Sequence, residues 1–144
     1  MRDQALERKI RLLNIQLDNW KKLHDLITYG LDKAKPIIST EQEHQFIELR
    51  ANLLQETEHI LGELKILADL SGKTMNVLQR AVSMRAVREL PNDEVRRLEN
   101  DWNAVFTRLG VVQGQLKATR KKLAGQTALG YFFARLFRRP ATAH

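Results

Sequence analysis

Val95-Arg-Arg-Leu98-Glu-Asn-Asp-Trp102-Asn-Ala-Val105-Phe-Thr-Arg-Leu109-Gly-Val-Val112-Gln-Gly-Gln-Leu116-Lys-Ala-Thr119-Arg-Lys-Lys-Leu123 decides the fold class. Its apolar residues, with Thr119 among them, recur in alternate steps of three and four. An α-helix turns once in 3.6 residues, so this spacing stacks them along one side as a seam that another helix must cover. A half-buried strand would alternate every second residue, which this stretch does not do. Just upstream, Pro91-Asn92-Asp93-Glu94 reads as a turn followed by acids in a first helical turn, where the positive end of the helix dipole favours them. Gly125 is expected to end this helix.

The same rhythm extends back towards the N-terminus. Leu6, Leu13, Trp20, Ile27 and Ala34 lie seven apart, interleaved with Ile10, Leu17, His24 and Leu31. A first helix is therefore predicted from about Asp3 to Lys35, stopped by Pro36. A second stripe, Leu12, Ile15, Leu23 and Leu26, gives that helix more than one neighbour. Ser39 or Thr40, with Gln42 or Glu43 three residues on, makes a capping box for the next helix. Its apolar pairs are Phe46/Ile47, Leu53/Leu54, Ile60/Leu61, Leu67/Ala68, Thr74/Met75 and Ala81/Val82, with Leu64 and Leu78 between them. The phase passes Ser71-Gly72 unchanged, which predicts one long helix over 41–89. A break at Ser71-Gly72, giving four helices, is the alternative.

Composition narrows the function classes. The chain has 144 residues and no cysteine, so disulfide scaffolds and cysteine-based zinc sites are excluded. The charged start, Met-Arg-Asp-Gln-Ala-Leu-Glu-Arg-Lys, does not read as an apolar targeting segment. No apolar run approaches the roughly 20 residues that cross a bilayer. These features set the expectation of a cytoplasmic protein, peripheral to a membrane or the cytoskeleton. The net charge of +7 is uneven: residues 1–90 hold 14 basic and 13 acidic side chains, residues 91–144 hold 10 and 4. After Asp101 there is no acid, against Arg108, Lys117, Arg120, Lys121, Lys122, Arg135, Arg138 and Arg139. Such a one-sided end speaks of acidic partners: protein, phospholipid or nucleic acid.

Residues that could carry chemistry are few. Glu41-Gln-Glu-His44 and Glu56-Thr-Glu-His59 have the Glu-x-x-His form of di-iron bundle ligands. Two copies fifteen residues apart on one helix stand about 22 Å from each other and cannot share a metal pair. His24 falls on the first seam, as a partly buried core polar group. No phosphate loop, dinucleotide fingerprint or nucleophile elbow is present. The expectation is a protein that is not an enzyme and uses no cofactor. Gly110-Val-Val-Gln-Gly114 marks either tolerated surface glycines or a close-approach face.

The functional lead is the tail, Tyr131-Phe-Phe-Ala-Arg-Leu-Phe-Arg-Arg139. On a helix, Leu129, Phe132, Phe133, Leu136 and Phe137 fall within an arc of about 140°, with Arg135, Arg138 and Arg139 outside it. The pattern predicts a short amphipathic helix over 127–139, closed by Pro140. Its apolar face either folds back over the open end of the bundle or anchors on a partner or lipid surface. Lys117, Arg120, Lys121 and Lys122 add a basic cluster that nucleic acid would also meet.

Two segments resemble a known family. Val95-Arg-Arg-Leu98-Glu-Asn-Asp-Trp102-Asn-Ala-Val-Phe is similar to the third helix of a spectrin-type repeat, which carries a tryptophan in its core face. Leu17-Asp-Asn-Trp20-Lys-Lys-Leu23 resembles that repeat's opening helix, and Leu61-Gly-Glu-Leu64-Lys-Ile-Leu67 is compatible with its second. The Trp20 to Trp102 spacing is longer than the family's, with the excess between Lys73 and Pro91. The resemblance implies a left-handed three-helix coiled coil acting as a spacer or docking platform for partner proteins. Taken together, the expected architecture is an elongated, all-α antiparallel bundle of three long helices over 1–124, with a basic aromatic tail over 125–144. An unbroken second helix would overhang the first, and a homodimer would supply its missing neighbour.

Overall fold

The computed structural model describes residues 3–35 and 37–142; within these, the side chains at 66, 127, 128, 131, 133, 134 and 136–142 lie outside the description. Pro36, the expected stop of the first helix, is not among the described residues. The described chain is all-α: α1 (Gln4–Leu31), α2 (Thr40–Glu63), a 3-10 segment (Lys65–Leu70), α3 (Ser71–Arg80), α4 (Met84–Arg88) and α5 (Asn92–Thr142).

Local chemistry sets the ends of α1 and α2. The Asp3 side chain accepts from the Leu6 amide at 3.1 Å and caps α1. α1 stops at Leu31, a turn short of the expected Lys35, because Asp32 is extended (φ −78, ψ 96). Arg88 takes up the carbonyls released there, donating from Nε to Gly30 at 2.7 Å and from Nη2 to Asp32 at 3.3 Å. Ser39 and Gln42 form the expected capping box: the Gln42 amide donates to Ser39 Oγ at 3.0 Å and the Ser39 amide to Gln42 Oε1 at 2.9 Å.

The long second helix expected over 41–89 is not found. The α-helix ends at Leu64 (φ −120, ψ 80), and the chain reverses through the 3-10 segment into α3. The alternative break at Ser71-Gly72 is also displaced, since those residues open α3. A second interruption follows at Ala81 (φ −89, ψ 67), after which Ser83 Oγ accepts from the Ala86 amide at 3.0 Å and starts α4. The expected three long helices and short C-terminal helix thus become five α-helices among the described residues, four of which pack as a bundle.

Cross-helix pairs give the directions. Arg8 meets Glu63 and Gln16 meets Thr57, so α1 and α2 are antiparallel. Asn14 pairs with Gln113 and Glu7 with Arg120, so α5 returns along α1 in the opposite sense. Asp69 faces Arg108, while Arg80 reaches Glu94 and Asp101, so α3 also runs against α5. Arg50 Nε donates to the Leu78 carbonyl at 2.7 Å and joins α2 to the end of α3. Each helix lies against antiparallel neighbours, the up-down-up-down arrangement of a four-helix bundle. The place that an overhanging second helix would have left open is filled by α3 from the same chain.

The core follows the sevenfold spacing despite the breaks. Phe46, Leu53, Ile60, Leu67, Thr74 and Ala81 are all buried, whereas Ile47, Met75 and Val82 are exposed. On the first seam Leu6, Ile10, Leu13, Leu17, Trp20 and Ile27 are buried; on the last, Leu98, Trp102, Val105, Leu109 and Val112. Trp102 Nε1 donates to the Trp20 carbonyl at 3.1 Å, joining the tryptophans of the two seams. One polar cluster sits inside. With its amide oxygen facing Thr57 Oγ1 (3.0 Å) and Trp20 Nε1 (3.3 Å), Gln16 donates to Glu56 Oε2 at 3.1 Å, where Asn19 also donates. In that orientation every buried polar atom of the cluster has a partner.

Candidate interaction surface

α5 does not stop at Gly125, and the separate short helix expected over 127–139 is absent. One helix runs from Asn92 to Thr142, with Gly125 and Gly130 in its interior. A glycine ends a helix by taking a left-handed conformation, and no described glycine has positive φ. Pro140, the expected terminator, lies in the final turn, where the cost of its missing donor is confined to the helix end.

The register with α1 shows where α5 leaves the bundle. Arg120 is ion-paired with Glu7 at 3.3 Å, one turn from the start of α1 at Gln4. Asp3, Leu6 and Glu7 line a shallow cleft with Lys117, Arg120, Lys121, Leu123 and Ala124. Beyond Ala124 there is no further α1 to pack on, and the helix continues for 18 residues, roughly 27 Å. This projecting arm carries the tail identified in the sequence.

The basic cluster at the root of the arm faces water: Lys117, Arg120, Lys121 and Lys122 are exposed, as is Arg135 further along. Leu129 is 57% and Phe132 58% exposed. Both stand on a helix that continues past the start of α1. The side chains of Phe133, Leu136, Phe137, Arg138 and Arg139 lie outside the described residues.

The other sequence candidates are scattered. Glu41, His44 and His59 are exposed on α2, whereas Glu56 turns inward to the polar cluster. Among the described residues, no group of three or more His, Asp or Glu side chains stands close enough to hold a metal ion. His24 is half-buried, its ring 4.2 Å from that of Trp102, which stacks in turn on Phe106 at 4.9 Å. Gly110 and Gly114 lie on the side of α5 away from the seam, with open space where a Cβ would stand. Among the described residues, no helix is long and apolar enough to cross a membrane.

Sequence reasoning missed the arginines that hold helix ends together: Arg50, Arg80 and Arg88. A lone arginine on a helix face carries no signal for this, because its acceptors, such as the Gly30 and Leu78 carbonyls, are distant in sequence. Comparison of the chain with protein-family models, curated proteins and solved structures finds no match.

Proposed function

We propose that this is a non-enzymatic structural or adaptor protein, in which the four-helix bundle is a rigid mount and the projecting end of α5 is the element that engages a partner. The observation that carries this reading is the arm itself: an uninterrupted helical extension on which Leu129 and Phe132 are more than half exposed, with no acidic side chain after Asp101. A helix that must only close a bundle ends where its neighbour ends. Here the amphipathic pattern begins at that point. Placing large apolar side chains in solvent is unfavourable by about 1.5–3 kcal/mol each relative to burial, which a bound partner would recover. The resemblance of the α1 and α5 segments to a spectrin-type repeat supports a spacer or docking role on the same chain.

The reading is tested by Leu129→Ser with Phe132→Ser in the full chain. The expected result is a melting temperature unchanged within about 2 °C, since surface changes away from packed features stay within about 0.5 kcal/mol. A drop of ten degrees or so would show these side chains packed on the bundle and remove the arm as an interaction element.

A further inference from the structure

The continuity of α5 joins two features that are separate in the sequence. Lys117, Arg120 and Lys121 have the spacing K-x-x-R-K; Arg135, Arg138 and Arg139 repeat it as R-x-x-R-R eighteen residues later. Eighteen residues are five whole turns of an α-helix, about 27 Å. Positions 135, 138 and 139 therefore stand on the same side of α5 as positions 117, 120 and 121. The first triad belongs to the bundle and the second to the arm, so one basic stripe runs along both. Had α5 broken at Gly125, the two triads would have no fixed relation.

At the root, Lys117 and Lys121 border the outer face of α5, away from the Val105, Leu109 and Val112 seam, whereas Arg120 turns to Glu7 of α1, and Asp3 and Glu7 line the cleft beside them. From Asn103 onward this face has no acid, and Asn103, Thr107, Gly114, Ala118, Lys121 and Gly125 along it are exposed. On the arm, Phe132 stands in line with Gly114 on this same face, and Leu129, in line with Val111, lies at its other border. A surface laid against the outer side of α5 would thus meet positive charge along one edge and apolar side chains along the other.

From this we infer that α5 lies lengthwise on an anionic membrane surface, with the bundle resting on top of it. The inference rests on the reading of α5 as an interaction arm and adds the partner and the orientation. Charge complementarity selects an anionic occupant, and the apolar border selects lipid, which takes aromatic and aliphatic side chains at the depth where it presents phosphates. A nucleic acid would leave Leu129 in water. A second copy docked by the same face would set one acid-free face against another and repel. A protein groove grips a helix on several sides, and around Lys117–Lys121 the bundle already occupies one of them. A flat surface can follow the whole stripe, about 33 Å from position 117 to position 139.

The test is flotation of the full chain with vesicles of phosphatidylcholine alone and of phosphatidylcholine with 30% phosphatidylglycerol. Wild type is compared with Lys117→Glu/Lys121→Glu at the root and Arg135→Glu/Arg138→Glu on the arm. Arg120 is left intact because of its ion pair with Glu7. The inference requires binding to the anionic vesicles only, weakened about tenfold or more by each pair separately, and weakened by 0.5 M salt. Circular dichroism guards against misfolded variants. Loss with the arm pair but none with the root pair would overturn the flat orientation. No binding to either vesicle, or equal binding to a DNA duplex of matched charge, would overturn the membrane partner. In the second case, an unchanged melting temperature in the Leu129/Phe132 variant would leave the arm reading standing, so the two failures are distinguishable.

Discussion

Gly30 and Gly114 are the same residue in the same secondary structure, yet they should respond oppositely to an added methyl group. A Cβ on Gly114 meets nothing within 4 Å, whereas on Gly30 it stands 3.1 Å from the Met84 carbonyl oxygen. Helix interiors favour alanine over glycine by about 1 kcal/mol, and at Gly114 that gain is unopposed. Gly114→Ala is therefore expected to raise the thermal midpoint by a few degrees. At Gly30 the neighbour is backbone and cannot swing aside, so α4 must back away from α1 and Gly30→Ala should lower the midpoint. A rise of equal size in both variants, measured by calorimetry, would mean that α4 does not sit as closely on α1 as described. The buried polar cluster offers a second comparison. Gln16→Leu leaves the Trp20 indole N–H and Thr57 without their partner, a loss of about 1–3 kcal/mol in chemical denaturation. Adding Thr57→Val should give no further loss of the same size, because the two changes remove one shared interaction.

At the scale of elements, what the sequence displays and what it hides have one cause. The sevenfold spacing identified which residues are buried, from Phe46 through Leu53, Ile60, Leu67 and Thr74 to Ala81, because each faces the core in whichever element holds it. The same spacing hid the reversal at Leu64. The chain turns there without proline and without a positive-φ residue, and the next helix enters the core in phase with the last. Periodicity reports facing, not direction. The second break does carry a local mark, the capping residue Ser83, which the sevenfold phase masks. At the C-terminal end the sequence misleads in the opposite sense: Gly125 reads as a stop, yet a glycine with neither a left-handed turn nor a neighbour to avoid is only a weak helix former. The residues of the candidate surface were legible as a basic, aromatic pattern. Their projection was not, since it depends on where α1 begins relative to α5. The smallest element supplies its own test. Met84 and Val87 are fully buried in α4, which closes the end of the bundle. Met84→Ala should cost about 2–5 kcal/mol, out of proportion to a five-residue helix.

For the whole molecule, the length of α5 sets the longest dimension. Its 51 residues span about 76 Å at 1.5 Å per residue, whereas the stretch to Ala124 that runs within the bundle is only about 50 Å. Small-angle X-ray scattering should return a maximum dimension near 75–80 Å. A value near 50 Å would mean that the arm folds back along the bundle. Removing residues 125–144 should bring the dimension down to the shorter value and leave the melting temperature within a few degrees of the full chain, because the described core residues all lie at or before Val112.

The pairing of Glu7 with Arg120 also has a mechanical consequence. The start of α1 and the root of the arm emerge at the same end of the bundle. A force applied between the N-terminus and the arm therefore acts across the α1–α5 seam, at its edge. It would part the two helices like the teeth of a zip, beginning at Leu6 and working inward rung by rung towards the Trp20–Trp102 contact. Antiparallel helices pulled from opposite ends slide against one another and resist with all their contacts at once; pulled from one end, they yield in sequence at lower load. Single-molecule stretching between residues 3 and 142 should show gradual opening that stiffens when the tryptophan pair is reached.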